Sequence, residues 1–380
     1  MKLTAIGSGY FKVYKDGVEV SKHTSEREAL ESAINLEIIN PSSNIIYKHE
    51  YEVKVESDPG PIITPIPVMT PIPTPITTPS PLGNIYAATS FWNKKLSSEV
   101  VSQVSSSFVL ELFENVKIAG VSVNTTNYSR PIYTVTTDIP KTKVFLPQKS
   151  GSKNDNILQQ GIRIPQGIVV SGGTDGHLCI IDLVSGIEYD FWKFRFNNNR
   201  WEAADAGIMP NVLTSDGTME KYSDGSWNSA TATHLPLLGG TIRINPSDYS
   251  LSVNQCVAIA INRPKAHPSL VWPAKTTDGW YTGANAIPEG MRFRFPSSIT
   301  IDPNWTPITK MLVTAIRDYG MVVMDKTGAG VSFYCEDPTQ YGKDASILTQ
   351  YYGGKSGYKI FGDKNNLSPE FPWDKLQTLE

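Results

Sequence analysis

The chain has 380 residues, 40% of them hydrophobic and 19% charged, which suits a globular protein of two or three units and excludes a disordered or fibrous one. Lys and Arg total 34 against 37 Asp and Glu, a net charge of -3, so no basic excess exists to neutralise a phosphate backbone and no nucleic-acid partner is expected. No run approaches the roughly 18 apolar residues of a membrane span, so no membrane partner is expected either.

The first residues, Met1-Lys-Leu-Thr-Ala-Ile-Gly7, turn polar too soon for the apolar stretch of a signal peptide. The expectation is synthesis in the cytoplasm, with any extracellular role reached through host lysis or virion assembly. Residues 1–56 read as a small α+β module of ββαβ order. Tyr10 to Val20 alternates as a hairpin around Asp16-Gly17, a pair that tolerates the positive φ of a tight turn. Ser25 and Glu28 form a capping box for a helix carrying Leu30, Ala33, Ile34 and Ile38, ended by Asn40-Pro41. A last strand over Ile46–Val55 sets Tyr47, His49, Tyr51, Val53 and Val55 on one face. Such a module has few groups for chemistry, and attachment is its expected task. Residues 57–82 follow as a linker. Between Pro59 and Pro81 nine of 23 residues are proline, so φ is fixed, donors are missing and a stiff polyproline spacer results.

Residues 83–380 read as a β-rich effector domain. A helix is expected over Ser97–Val116, with Val100, Val101, Val104, Phe108 and Leu112 near helical spacing. Short strand-like runs then alternate with Gly, Pro, Asn and Asp up to about residue 300, among them His177–Leu183 and Glu188–Phe196. Frequent turns with little helix predict a mainly β fold, β-sandwich or jelly-roll-like, with a few peripheral helices. A second helix is expected at Pro307–Asp318, with Pro307 at its first position and Gly320 as its stop. Met321–Asp325 and Val331–Tyr334 are expected to pair across the turn between them. Cys179, Cys256 and Cys335 are odd in number and set in apolar runs, so they read as buried thiols rather than a disulfide framework or a metal site.

The densest polar cluster is Gly172-Gly-Thr-Asp-Gly-His-Leu178, followed by Glu188-Tyr-Asp-Phe-Trp192. Residues two apart in a strand share a face, so Glu188, Asp190 and Trp192 would stand together as two carboxylates beside an indole, the equipment of a glycosidase. A hairpin across Val184-Ser-Gly186 would bring Asp175 and His177 near Asp190. Two mechanisms stay open: Glu188 as acid with Asp190 as base or nucleophile in a hydrolase, or His177 as the base of a lyase with Arg243 neutralising a uronate. A solvated strand face and a structural histidine are the plain alternatives. Trp192, Trp272 and Trp280, set among Asn, Asp and Gly, are candidate sugar-stacking planes, and Arg243 is a candidate anion clamp. No phosphate loop, G-x-S-x-G elbow or H-E-x-x-H occurs, and the metal trio or Cys/His pair of a peptidoglycan amidase or peptidase is missing too. No cofactor is expected; calcium is compatible with Asp and Asn in Gly-rich loops, although no 12-residue calcium loop occurs.

Phe91-Trp-Asn93, Gly173-Thr-Asp-Gly-His-Leu178, Asp190-Phe-Trp192, Ala230-Thr-Ala-Thr233, Leu235-Pro-Leu-Leu-Gly-Gly240, Trp272-Pro-Ala274, Ile287-Pro-Glu-Gly290, Asp318-Tyr-Gly320, Asp325 and Phe371-Pro-Trp-Asp374 together resemble a widespread family of secreted actinomycete proteins, over nearly the whole post-linker domain. That resemblance implies an extracellular role and names no reaction. Where those relatives carry a serine this chain has His234, and they carry an Asp-His pair near Asn254-Gln255, which weakens a catalytic role for those positions and leaves Asp175 and His177 as the catalytic candidates. The first module, with Gly9-Tyr-Phe-Lys-Val-Tyr14 and Tyr47-Lys-His-Glu-Tyr-Glu-Val53, resembles a short module at the head of phage and marine-virus proteins, which implies attachment to virion proteins. The combined expectation is a phage-borne or secreted protein that cleaves a bacterial surface or cell-wall polysaccharide. The rival expectation is a non-catalytic glycan-binding adhesin or virion structural component.

Overall fold

The computed structural model describes residues 2–5, 10–15, 18–23, 45–50, 53–56, 85–96, 101 and 105–379. The chain divides into two compact units, Met1–Thr70 and Pro71–Glu380, so the division falls inside the proline-rich stretch. Linker residues 57–82 and the helix expected between Ser25 and Asn40 lie outside the described residues. In the first unit, Tyr10–Lys15 and Val18–His23 form the expected antiparallel hairpin across Asp16-Gly17. Ile45–Glu50 pairs with Tyr10–Lys15, while Val53–Glu56 pairs with Lys2–Ala5 in a separate ladder. The single strand expected over Ile46–Val55 is thus two strands. Its period-2 alternation runs across the break, so the pattern alone could not show it.

The second unit is sheet-rich with few helices, and two open sheets organise it. The first six strands of these sheets are β1 (Val121–Asn124), β2 (Ile132–Val135), β3 (Leu178–Asp182), β4 (Ile187–Trp192), β5 (Asp205–Met209) and β6 (Val257–Ile261). They are followed by β7 (Arg292–Arg294), β8 (Met321–Lys326), β9 (Val331–Tyr334) and β10 (Gln377–Leu379). One sheet has the order β5-β4-β3-β2 and the other β10-β7-β8-β6-β9-β1. Parallel pairs occur in both: β3 with β2, β8 with β6, and β9 with β1.

The β3–β4 hairpin forms as the turn signal predicts, with Cys179 opposite Asp190 and Ile181 opposite Glu188. Asp182 Oδ1 accepts the N–H groups of Val184 and Ser185 at 3.0 and 3.1 Å, which ties the turn locally. Both faces of this sheet are covered. Leu178, Ile180, Tyr189, Phe191 and Ile208 point into an outer cluster. Ile132, Cys179 and Ile181 meet Ala258, Ala260, Val322, Met324 and Tyr334 of the six-stranded sheet, with Phe91 and Trp92, in an inner one.

The opposite face of the six-stranded sheet packs on two helices, α1 (Ser105–Ala119) and α2 (Pro307–Tyr319). Leu112 and Val116 of α1 and Ile308, Leu312, Ala315 and Ile316 of α2 are buried at i, i+4 spacings. Pro307 opens α2 and Gly320, at φ 88°, closes it as expected. The helix expected from Ser97 is described only from Ser105, and Val101 is instead bridged to Leu379. All three cysteines are free and buried. Among the described residues no helix is long and apolar enough to cross a membrane.

One expectation is corrected. β8 and β9 do not pair with each other, because β6 lies between them, parallel to β8 and antiparallel to β9. Crossing one intervening strand needs about 10 Å, which four extended residues span easily. Strand β6 is Val-Ala-Ile-Ala-Ile, buried throughout, so it belongs in the centre of a covered sheet rather than at an edge. The residue after it, Asn262, donates its side-chain N–H to the Thr327 and Ala329 carbonyls at 3.2 and 3.1 Å and holds the crossing connection in place.

Gly240 has φ +68°, and an added Cβ would stand 2.2 Å from the Ala258 backbone nitrogen, whereas Gly328 has nothing within 4 Å. Gly240→Ala should therefore destabilise the protein by more than about 2 kcal/mol through strain and backbone clash. Gly328→Ala should stay within about 0.5 kcal/mol. Urea denaturation of both variants checks the contrast.

Candidate functional site

A cleft of about 990 Å³ is lined by β1 and the loop after it, the loop Asp175–His177, Trp192 at the end of β4, Asp205 at the start of β5, segment 227–232, residues 276–278, the end of β8 with the connection after it, and β9. Strand ends and loops from both sheets thus converge on it, the usual way a rigid scaffold presents reactive side chains.

Asp175 sits in a loop whose turns need Gly173 at φ 79° and Gly176 at φ 48°. The loop is stitched to the strand end across from it, since Lys193 N–H and Phe194 N–H donate to the Asp175 and Gly176 carbonyls at 2.7 and 2.9 Å. Asp175 Oδ1 accepts from the Trp192 indole N–H at 3.4 Å, so these two cleft residues are linked. Lys193 Nζ lies 4.2 Å from the centre of the Trp192 ring. His177 is buried, and its backbone N–H donates to Ser171 Oγ at 2.9 Å. Its Nδ1 has no partner. Burial drives the imidazole down to about 4, with the Arg130 charge adding to the fall and Asp175 opposing it. His177 is therefore neutral at pH 7.

Behind the cleft Arg130 is 1% exposed. Its guanidinium stacks 3.6 Å from the Tyr334 ring and donates to the Leu237 and Gly239 carbonyls and Thr241 Oγ1, each at 3.0 Å. Tyr334 lines the cleft, and burial holds its phenol well above the ordinary value, with Asp325 reinforcing the rise. On the other wall stand Asp278 and Asp325, with the buried Glu289 next to them; the three offer one carboxylate oxygen each, all within 4.8 Å of one another. Asp278 is exposed, Asp325 half-buried and Glu289 fully buried. Lys326 Nζ lies 2.7 Å from Asp278 Oδ2. Asp278 N–H donates to Glu289 Oε2 at 3.2 Å, and Glu289 Oε1 has no partner. Burial and the neighbouring carboxylates push Asp325 up to about 7 and Glu289 up to about 8. At the rim Trp227 and Tyr128 are 53% and 41% exposed, and both line the cleft.

The site residues expected from the sequence separate in the structure. Asp175, His177 and Trp192 line the cleft together. Glu188 and Asp190 share a face of β4 as predicted, but that face looks into the inner apolar cluster, and both are 0% exposed. There Tyr86 Oη donates to Glu188 Oε2 at 2.8 Å and Leu237 N–H donates to Asp190 Oδ2 at 2.7 Å. Burial raises both carboxyls, Asp190 to about 6. They are interior groups walled off from solvent, and β4 is a central strand rather than a solvated edge. Arg243 is taken by the buried Glu336, Nε to Oε2 at 3.0 Å, and is not part of the cleft lining. Trp272 and Trp280 are 57% and 54% exposed but also lie off the cleft. Trp272 packs edge-on to Phe91, and Trp280 donates to the Asn262 carbonyl. Asp278, Glu289, Asp325 and Tyr334 escape a reading by local spacing. Glu289 and Asp325 do fall within segments of the actinomycete resemblance.

No protein-family model matches the chain, and no curated protein or solved structure matches it either.

Two outcomes follow from this geometry. Tyr86→Phe removes the hydroxyl that serves the buried Glu188 and should cost about 1–3 kcal/mol in denaturant unfolding without altering the cleft. The second concerns pH. The folded pKa of His177, about 4, lies below the ~6.5 of a free imidazole. Its contribution to stability is complete above pH 6.5 and is lost as pH falls toward 4, where the unfolded chain binds the extra proton. The stability difference between wild type and His177→Gln should therefore shift by roughly 3 kcal/mol against the wild type between pH 7 and 4. A difference independent of pH would exclude this assignment.

Proposed function

We propose that the protein is a polysaccharide-cleaving enzyme, acting in this cleft as a lyase on an acidic glycan. The observation that carries the reading is the joining of a neutral imidazole and a protonated phenol in one cleft with an indole wall and exposed aromatic rims. Elimination needs a base for the proton next to a uronate carboxyl group and an acid for the departing glycosidic oxygen. His177, uncharged at neutral pH, takes the proton, and Asp175 nearby stabilises the imidazolium that forms. Tyr334, held in the phenol form, donates to the leaving oxygen. The C–H and C–O bonds break, a C=C bond forms in the uronate ring, and no water or redox partner is consumed. Trp192, Trp227 and Tyr128 offer faces and edges to sugar C–H groups.

A second reading is a hydrolase, favoured by the close carboxyl oxygens of Asp325 and Asp278. Asp325, raised to about 7, would be the acid, and the short separation suits a retaining mechanism. In either case the first unit would serve attachment, in keeping with its separation from the effector unit at Thr70/Pro71, and the place of action would be a virion or the outside of a lysed host.

Full-length protein incubated with acidic bacterial polysaccharides should generate the ultraviolet absorbance of unsaturated uronates along with reducing ends. Reducing ends without that absorbance would favour the hydrolase, and stoichiometric retention without either would favour an adhesin. His177→Gln should lower kcat by about 10²–10⁴-fold, while Trp192→Ala should act mainly through KM.

A further inference from the structure

We infer that Asp278, Glu289 and Asp325 form a binding site for one divalent cation, of the hard, oxygen-seeking calcium class, at the edge of the cleft, with Asp278 and Asp325 in its wall and Glu289 buried next to them. The part of this inference that concerns substrate rests on the lyase reading above; the cation site itself does not.

Three features point to it independently. The first is distance. A calcium ion holds oxygens at 2.3–2.6 Å, so two ligands on opposite sides of one ion stand about 5 Å apart at most. The three carboxylate oxygens all fall within 4.8 Å of one another, and one ion can touch all three. The second is an unsatisfied group. Glu289 is 0% exposed, and while its Oε2 accepts the Asp278 N–H, its Oε1 has no hydrogen-bond partner. A fully buried carboxylate oxygen left without a donor is costly, and a cation among the three carboxylates satisfies it. The third is charge. With all three ionised, the carboxylates carry three negative charges, and Lys326 is the one salt-bridge partner they have among the described residues. The remainder of two negative charges equals the charge of one divalent ion. Lys326 is 43% exposed, so its ammonium can leave Asp278 for solvent when an ion enters.

The site also resolves a conflict within the cleft. Asp175, Asp278 and Asp325 line it with Lys326, Asp205 being paired with Lys149, and Arg243, the expected uronate clamp, is paired with Glu336. A uronate would meet net negative charge. A cation held by one wall reverses this locally, and because calcium takes six to eight ligands, positions remain for water and for the substrate carboxylate.

The test is calorimetric titration of chelator-treated full-length protein with calcium chloride alone. The expected result is one ion per chain, with affinity reduced at least tenfold in both Glu289→Gln and Asp278→Asn and unchanged in Asp205→Asn. Asp278 is exposed, so its variant reports even if the Glu289 variant fails to fold, which circular dichroism would show. Absence of a binding heat up to millimolar calcium, or affinity equal to wild type in Asp278→Asn, overturns the site. Polysaccharide cleavage is followed in parallel. Calcium binding without any cleavage keeps the cation site and removes the lyase reading. Chelator-resistant production of reducing ends with no calcium bound overturns the site and leaves the two-carboxylate hydrolase.

Discussion

The interior of the second unit depends on the burial of one cation, Arg130. A guanidinium cannot shed its proton inside a protein, so its charge has to be met where it lies. Here it is met without a paired carboxylate: two backbone carbonyls and a threonine hydroxyl accept from it, and the Tyr334 ring covers its face. Those partners come from segment 237–241 and from β9, and the Arg130 N–H donates to the Cys335 carbonyl. One side chain thus ties the segment entering the four-stranded sheet to the six-stranded sheet. It also sets the field behind the cleft, helping to keep His177 neutral while opposing any further rise of Asp325 and Asp190.

The two acidic clusters show how differently the same residue types behave under different cover. Around Glu188 and Asp190 the surroundings are apolar and closed, and the carboxyls are served by Tyr86, Cys179 and the Leu237 amide. Desolvation favours their neutral form, and nothing from solvent reaches them. Around Asp278, Glu289 and Asp325 the two aspartates border a cleft while Glu289 is buried next to them, so the like charges lie partly within reach of solvent. Burial closes the first cluster off, whereas the second borders the cleft.

Part of the cleft was legible because it is local. The glycines flanking Asp175 announce a turn, and the adjoining strand carries His177 into place; Val184-Ser-Gly186 closes the hairpin that brings Trp192 back beside them. The rest was not, because its members are distant in sequence. Asp278, Glu289 and Asp325 are separated by 11 and 36 residues, and the loops that unite them are placed by packing between sheets rather than by any periodicity. Arg243 looked free because its partner, Glu336, lies 93 positions away.

By itself the sequence determined the short-range order: the β3–β4 hairpin and its register of faces, helix α2 between Pro307 and Gly320, and the burial of the three thiols. These follow from φ preferences, turn chemistry and side-chain period, which act over a few residues. Only the tertiary structure decided that β6 separates β8 from β9, that the carboxylate face of β4 looks inward, and that three remote acids meet beside a cleft. Alternation along a strand states which side chains point the same way. What lies opposite them depends on which sheet packs there, and that is settled by the long-range burial of apolar surface.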